Sequence, residues 1–350
     1  MIMEKTRKYT YFIGIDVSRD KLDCAVISGR KVVSHTTIVN ETNEIRGFLT
    51  GLKQLPKFTF NKSLFGLEQT GIYTTHLLNT LKRSKANVVL EDALHIKNSL
   101  GKSRGKYDKL DAIRIATFLY KTKDDVRIWV QRRPIIDKLA HLSTLRTRLI
   151  TLFNAMRTPL NEQNKFLESS FFVTMTNLCD RSMSALRNDI EQAEKLILTT
   201  VKEDVRTKRL FDIITSVPSV GPVTAIQIII TTNEFKDITD PKKYASYAGV
   251  APFRHESGTA ITKAKVSSLA NKKIKTLLHI CALSSISHPT ELRDYFLRKT
   301  KEEGKSKMAV INAVRYKLIL RIFACLRQDR CYQKVYTRPV TTGEAGKMSE

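Results

Sequence analysis

The chain has 350 residues, 42% of them hydrophobic, with 60 Lys and Arg against 34 Asp and Glu and a formal net charge of +26. That length supports two or three domains with a sizeable core, and positive charge spread along the whole chain points to a polyanion held through counterion release. No apolar run reaches the roughly 18 residues of a membrane span; the charged segment Met1–Thr10 lacks the apolar stretch of a signal peptide; and the five cysteines form no C-x-x-C pair, which leaves no zinc site or disulfide framework and fits a reducing cytoplasm.

Residues 9–125 are predicted as α/β. Strands are expected at 9–17, 22–28 and 31–39, the last two joined by the Gly29-Arg30 turn and therefore antiparallel. A helix at 43–55, a strand at 63–68, a helix at 74–85, a strand at 87–90 and a helix at 106–121 complete the order βββαβαβα. That order matches the ribonuclease H-like architecture, a mixed sheet with helices on both faces.

Residues 135–209 change character. Leu142, Leu145, Leu149, Leu152 and Met156 step by three and four, as do Met183, Leu186, Ile190, Ala193 and Ile197. Two long helices in a coiled coil are expected, with Pro159 as a kink or break. They can close as a hairpin within one chain, pair between chains, or both. Residues 210–330 read as a mostly helical basic domain. Within it Val217-Pro218-Ser219-Val220-Gly221-Pro222 resembles a helix-hairpin-helix turn, or is a plain helix–helix connection. A helix is expected at 271–284, capped by Ser267-Ser268, and another at 309–326. The division is 1–125, 126–209, 210–332, and a tail at 333–350 expected to be disordered.

Four acidic residues stand out in this basic chain. Asp16 ends the apolar run Tyr11–Ile15, and Glu68 ends the run Ser63–Leu67. Asp108 and Asp111 open a helix three apart, so their carboxylates share a face. Singly, each has an ordinary reading as a turn residue or a helix N-terminal acid. Together they suit Mg²⁺, or Mn²⁺, which takes hard oxygen ligands and completes its shell with water and substrate phosphate oxygens. Glu91-Asp92 also ends a strand and reads as a turn, with Asp92 a lesser candidate; Asp20 and Asp23 read as solvent-facing. Ser257 lies in the basic stretch 249–259 with Arg254, His255, Glu256 and Lys263 nearby. A turn serine is the commoner reading; a hydroxyl attacking phosphorus is the chemical alternative.

These segments carry a family resemblance. Gly14-Ile15-Asp16-Val17-Ser18-Arg19-Asp20-Lys21-Leu22-Asp23, Gly66-Leu67-Glu68-Gln69-Thr70-Gly71-Ile72-Tyr73 and Lys106-Tyr107-Asp108-Lys109-Leu110-Asp111-Ala112 resemble the three N-terminal motifs of the insertion-sequence one-ten family, DEDD transposases related to the Piv invertases. The stretch 249–258 is similar to that family's C-terminal motif, with Ser257 at the nucleophile position. The chain departs from the pattern at Tyr107, where the family often has Thr, and at Ser268-Leu269-Ala270-Asn271, where it tends to Lys-x-Gly-Asn. The resemblance implies a RuvC-like domain, a coiled-coil middle and a helical transposase domain. It implies a composite site in which Asp16, Glu68, Asp108 and Asp111 hold Mg²⁺ and Ser257 attacks DNA. It also implies donor and target DNA, a structured noncoding bridge RNA, and a homodimer or homotetramer. The rival readings are a water-using Holliday-junction nuclease, which needs the carboxylates alone, and a non-catalytic nucleic-acid scaffold, which needs neither.

Overall fold

The computed structural model describes residues 9–69, 71–100, 108–257, 260–266 and 270–334, with side chains described throughout except at Asp108 and residues 253–265. Its contacts divide the chain into two units, 1–131 and 132–350.

The first unit is built on a five-stranded mixed sheet. Strands β1 (Tyr11–Val17), β2 (Lys21–Ser28) and β3 (Lys31–Val39) form an antiparallel meander; β4 (Ser63–Glu68) and β5 (Asn87–Glu91) run parallel to β1, and the order is β3-β2-β1-β4-β5. Alternation along β1 sorts its side chains to two faces. Tyr11, Ile13, Ile15 and Val17 pack on helices α1 (Thr42–Leu52) and α2 (Thr75–Arg83) through Ile45, Leu49, Leu52, Leu77 and Leu81. Phe12 faces the other way, with Ile27 and Leu64, onto α3 (Ala93–Leu100) and α4 (Asp108–Thr122) through Ile96, Ile115, Ala116, Phe118 and Leu119. Between Phe12 and Asp16 that second face carries Gly14, and α4 lies almost on the backbone there. A Cβ at Gly14 would come within 2.1 Å of the Ala112 carbonyl oxygen and 2.3 Å of the Ala116 nitrogen. Glycine at 14 is therefore what lets α4 approach the sheet.

The expected strand and helix order appears, with one addition. Helix α3 separates β5 from α4; its eight residues with a single buried apolar position, Ile96, give little periodicity to read.

The second unit is mainly helical. Helices α5 (Pro134–Gln163) and α6 (Ser169–Lys202) pack on each other within the chain as a long hairpin. Pro159 sits inside α5 without ending it. Helices α7 (Val205–Thr215), α8 (Pro222–Thr232), α9 (Pro241–Tyr247), α10 (Lys272–Ser287), α11 (Glu291–Leu297) and α12 (Lys307–Arg327) share one core with the start of α5. The segment 217–221 is the α7–α8 connection, with Ser219 at φ +69° and Gly221–Pro222 opening α8. Two strands, β6 (Pro252–Ser257) and β7 (Ala260–Val266), form an antiparallel hairpin in this otherwise helical unit. The sequence reading had a loop there. β-Branched Ile261, Thr262 and Val266 favour extended backbone in the second strand; Gly258 and Thr259, between the strands, lie outside the described residues.

The cap of α10 also differs from expectation. Asn271, not Ser267-Ser268, supplies it: its side-chain oxygen accepts from the Ile274 N–H at 3.0 Å. Ser267 and Ser268 lie outside the described residues, as does the tail from 335. Among the described residues no helix is long and apolar enough to cross a membrane.

Candidate active site

Register brings the carboxylates together. Asp16 and Glu68 close β1 and β4, which run parallel with Ile15 opposite Leu67, so both side chains emerge at the same edge. They share a face with Gly14 and Gly66, the face α4 covers: a Cβ at Gly66 would meet Leu119 at 2.7 Å. Asp111, one residue before Ala112, therefore comes from α4 onto that edge. Its carboxylate accepts from Arg114 Nη1 at 2.6 Å, one turn along the helix.

The electrostatics register this convergence. The Glu68 carboxyl is pushed above its ordinary value, first by burial and then by the charges of Asp16, Asp111 and Asp92. Negative charges gathered round one half-buried carboxyl are an arrangement that a cation would relieve. Their oxygens are the hard donors a divalent ion takes, so the residues fit such a group. Among the described residues no three acidic, His or Cys side chains stand close enough to grip an ion as placed. They are neighbours at the range of charge repulsion, short of coordination distance. Asp108 opens α4 one turn before Asp111, but its side chain lies outside the described residues.

Two further acidic residues belong to this edge: Asp23, which the sequence reading misplaced, and Asp92, which it held as a lesser candidate. Asp23, expected to face solvent, is buried at 5% exposure and stands opposite Asp16 in the β1–β2 register. It accepts from Thr37 Oγ1 at 2.7 Å, with Lys21 Nζ at 3.5 Å and His35 Nε2 at 3.3 Å. The signal was available: a three-residue connection between β1 and β2 sets Asp16 across from Asp23. Asp92 caps α3, accepting from the Leu94 N–H at 2.8 Å, and so points its charge towards Glu68. Asn40, buried at 9%, braces the same end. Its amide donates to the Ser18 carbonyl at 3.0 Å and the Tyr73 carbonyl at 3.0 Å, tying the loop after Asp16 to the segment after Glu68.

Ser257 belongs to the second unit, as the last residue of β6, paired with Ala260; its side chain, and those of Arg254, His255, Glu256 and Lys263, lie outside the described residues. The base of its hairpin is anchored on both sides. Asn312 of α12 donates to the Val250 carbonyl at 2.7 Å just before β6, and Asn271, after β7, donates to Tyr247 Oη at 2.7 Å.

A separate charged cluster is structural. Arg133 forks onto Asp204 (2.8 and 2.6 Å) and onto Glu234, whose side chain is fully buried and also meets Lys236 at 3.0 Å and Arg206 at 3.3 Å. The Arg133 hydrogen bond holds the Asp204 carboxyl well below the usual range, and contacts with Arg133 and Lys236 overcome burial to lower that of Glu234. Donors and acceptors are matched, and the cluster joins the starts of α5 and α7 to the end of α8.

Comparison with known proteins identifies relatives over almost the whole chain. Residues 13–170 match a family model described as "Transposase", the DEDD domain of the IS110 type, and residues 211–297 match a second, described as "Transposase IS116/IS110/IS902 family". The chain is 24% identical over 331 residues to the pilin gene-inverting protein of Moraxella bovis, covering 92% of this chain and 98% of that one. Its counterpart from Moraxella lacunata gives the same identity and coverage. An insertion element IS116 uncharacterized 44.8 kDa protein of Streptomyces clavuligerus is 26% identical over 132 residues, covering 38% of this chain and 33% of that one. Asp16, Glu68, Asp108 and Asp111 lie in the segment matched by the first model and Ser257 in that matched by the second, both models of one family, and the chain belongs to the IS110/IS116 family of transposases, enzymes that recombine DNA.

Proposed function

We propose that this transposase cuts and rejoins DNA through a serine nucleophile, Ser257, with Asp16, Glu68, Asp108 and Asp111 holding Mg²⁺ or Mn²⁺. In this reading residues 1–125 are the RuvC-like domain, 126–209 a coiled-coil region that assembles a dimer or tetramer, and 210–332 the transposase domain, with 333–350 a tail. The observation that carries the metal assignment is the raised Glu68 carboxyl, crowded by Asp16, Asp111 and Asp92. A bound divalent ion supplies Lewis-acid stabilisation of negative charge on a phosphoryl oxygen.

The chain's own residues do the rest. The Ser257 hydroxyl oxygen bonds to phosphorus, one P–O bond to deoxyribose breaks, and the freed sugar hydroxyl takes the proton. The phosphoserine conserves the bond, so a hydroxyl from another strand can reverse the step and reseal DNA without outside energy. The Moraxella relative is named for inverting a pilin gene, and the same exchange between two sites in one molecule inverts a segment. A structured bridge RNA that pairs with donor and target would set where the exchange happens, in the cytoplasm at the nucleoid.

The test is cleavage of a cognate duplex in Mg²⁺ by Asp16→Asn and Asp111→Asn. Each variant keeps the side-chain shape and loses the charge, so strand cleavage should vanish while nucleic-acid binding persists. Full activity of both variants would refute the metal assignment.

A further inference from the structure

Arg315, on α12, is buried at 6% exposure, and its surroundings differ from those of Arg133. Its Nη2 donates to His279 Nδ1 at 2.6 Å, and its Nε has no hydrogen-bond partner. Only burial acts on the guanidinium, pushing its proton affinity down; no carboxylate among the described residues offsets it. A charge taken from water without a counterion is costly unless something else supplies one.

The chemistry of the pair selects what that is. A guanidinium has donors only, so His279 Nδ1 must accept and the ring proton sits on Nε2. Burial and the adjacent Arg315 both hold this imidazole neutral. The pair therefore offers one positive charge and an imidazole N–H donor, with no acceptor left over. That set recognises an anion.

A second feature leads to it. The first turn of α10 carries Lys272, Lys273 and Lys275 and no acidic residue, although the helix dipole favours carboxylates there. Lys273 turns inward to Ser143 Oγ at 3.2 Å. Lys272, Lys275 and His279, spaced three and four apart, share one face of α10. Lys272 is exposed, and Lys275 and His279 are half-buried. Both helices lie next to the Ser257 hairpin in the chain or hold its base: Asn271 caps α10 five residues after the end of β7, and Asn312, one turn before Arg315, holds the Val250 carbonyl before β6.

We propose that Arg315 and His279 form a phosphate subsite, which Lys275 and Lys272 extend along α10, so that the strip holds the phosphodiester backbone of a DNA strand beside the Ser257 hairpin. The choice of DNA rests on the recombinase reading above; the subsite itself rests on a buried guanidinium that no carboxylate of the described residues neutralises and on the cationic face of α10 beside it.

The experiment is equilibrium binding of the full-length protein to fluorescein-labelled single-stranded DNA and to RNA of the same sequence. It is read by anisotropy across a salt series in EDTA, so that no strand is cut and a failed serine mechanism would leave the result intact. Lys275→Ala and Lys272→Ala should each weaken DNA binding several-fold and lower the slope of log affinity against log salt by roughly 0.7 per phosphate lost. His279→Ala removes a neutral donor, so it should weaken binding without changing the slope, and His279→Gln should restore part of it. Arg315→Met should weaken binding about tenfold, as expected for a hydrogen-bonded charge. Its melting temperature is read alongside, because an uncharged residue there can stabilise the fold. Losses confined to the RNA arm would replace the DNA strand with an RNA one. Unchanged affinity and slope in Lys275→Ala and His279→Ala with both probes would overturn the subsite, as would an Arg315→Met protein altered in stability alone.

Discussion

The two units handle charge in opposite ways. In the first, strand register places carboxylates side by side: Asp16 next to Glu68 on parallel strands, Asp23 across from Asp16, and Asp111 brought in by a helix that Gly14 admits to the sheet. In the second, cations are laid out along helices, and two arginines, one half-buried and one buried, show two outcomes. Arg133 is matched by Asp204 and Glu234, while among the described residues Arg315 is hydrogen-bonded to a neutral histidine and to no carboxylate. A matched cluster holds a fold together. Like charges crowded round Glu68, and a guanidinium that no carboxylate of the described residues neutralises, are the places where the two proposals above put a ligand of opposite sign.

The largest expected effect breaks the matched cluster. Arg133→Met leaves the fully buried Glu234 short of its main partner. The loss should be about 3 kcal/mol in urea unfolding, at the low end for a broken buried pair because Arg133 itself is 32% exposed. The pH dependence follows from the lowered carboxyls of Asp204 and Glu234. In the native protein their contribution is fully present above the ordinary carboxylate range near 4 and is lost as pH falls through their depressed values. Arg133→Met should flatten that acid-side loss. A variant as stable as the parent at neutral pH would show that the cluster does not lock the helices.

A smaller effect sharpens the account of how the carboxylate edge is built. Gly14→Ala forces a Cβ onto helix backbone, whereas Gly66→Ala meets only the end of the Leu119 side chain. The first should cost about 1–3 kcal/mol and displace Asp111; the second should cost less, since a leucine can change rotamer. Equal losses in the two variants would mean that α4 does not depend on the contact at Gly14.

The smallest effect has the opposite sign. Glu68 ionises at a cost in the folded state, because its carboxyl is raised there. At pH 7 without divalent metal, Glu68→Gln should raise the melting temperature. The gain should disappear below the ordinary carboxylate range, where both folded and unfolded forms of Glu68 are protonated. With Mg²⁺ present the order should reverse, since only the charged side chain is stabilised by the ion. A melting temperature lowered by the substitution without metal would contradict the crowding of charge at this edge.

Much of this was legible in the sequence, and the failures have physical causes. The sheet strands were readable because apolar runs ended at Asp16 and Glu68 and the turn at Gly29-Arg30 was short. Asp23 was missed because a lone acidic residue in a strand reads as exposed until its partner across the hairpin is counted. The β6–β7 hairpin was missed because Ser257-Gly258 and the surrounding charges look like a loop, while strand pairing is a property of two segments together. Arg315 looked like one more cation on an apolar helix. Its burial and its contact with His279 arise only when α10 packs against α12, which periodicity does not reveal.

The most direct test of the central claim is a denaturing gel of end-labelled cognate DNA incubated with the protein and Mg²⁺, comparing the parent with Ser257→Ala. Attack by Ser257 on phosphorus predicts a denaturation-resistant protein–DNA adduct with the parent. In the variant both adduct and recombination should be lost, with folding and nucleic-acid binding retained. Unchanged cleavage by Ser257→Ala without an adduct would contradict the serine mechanism and identify a nuclease that uses water.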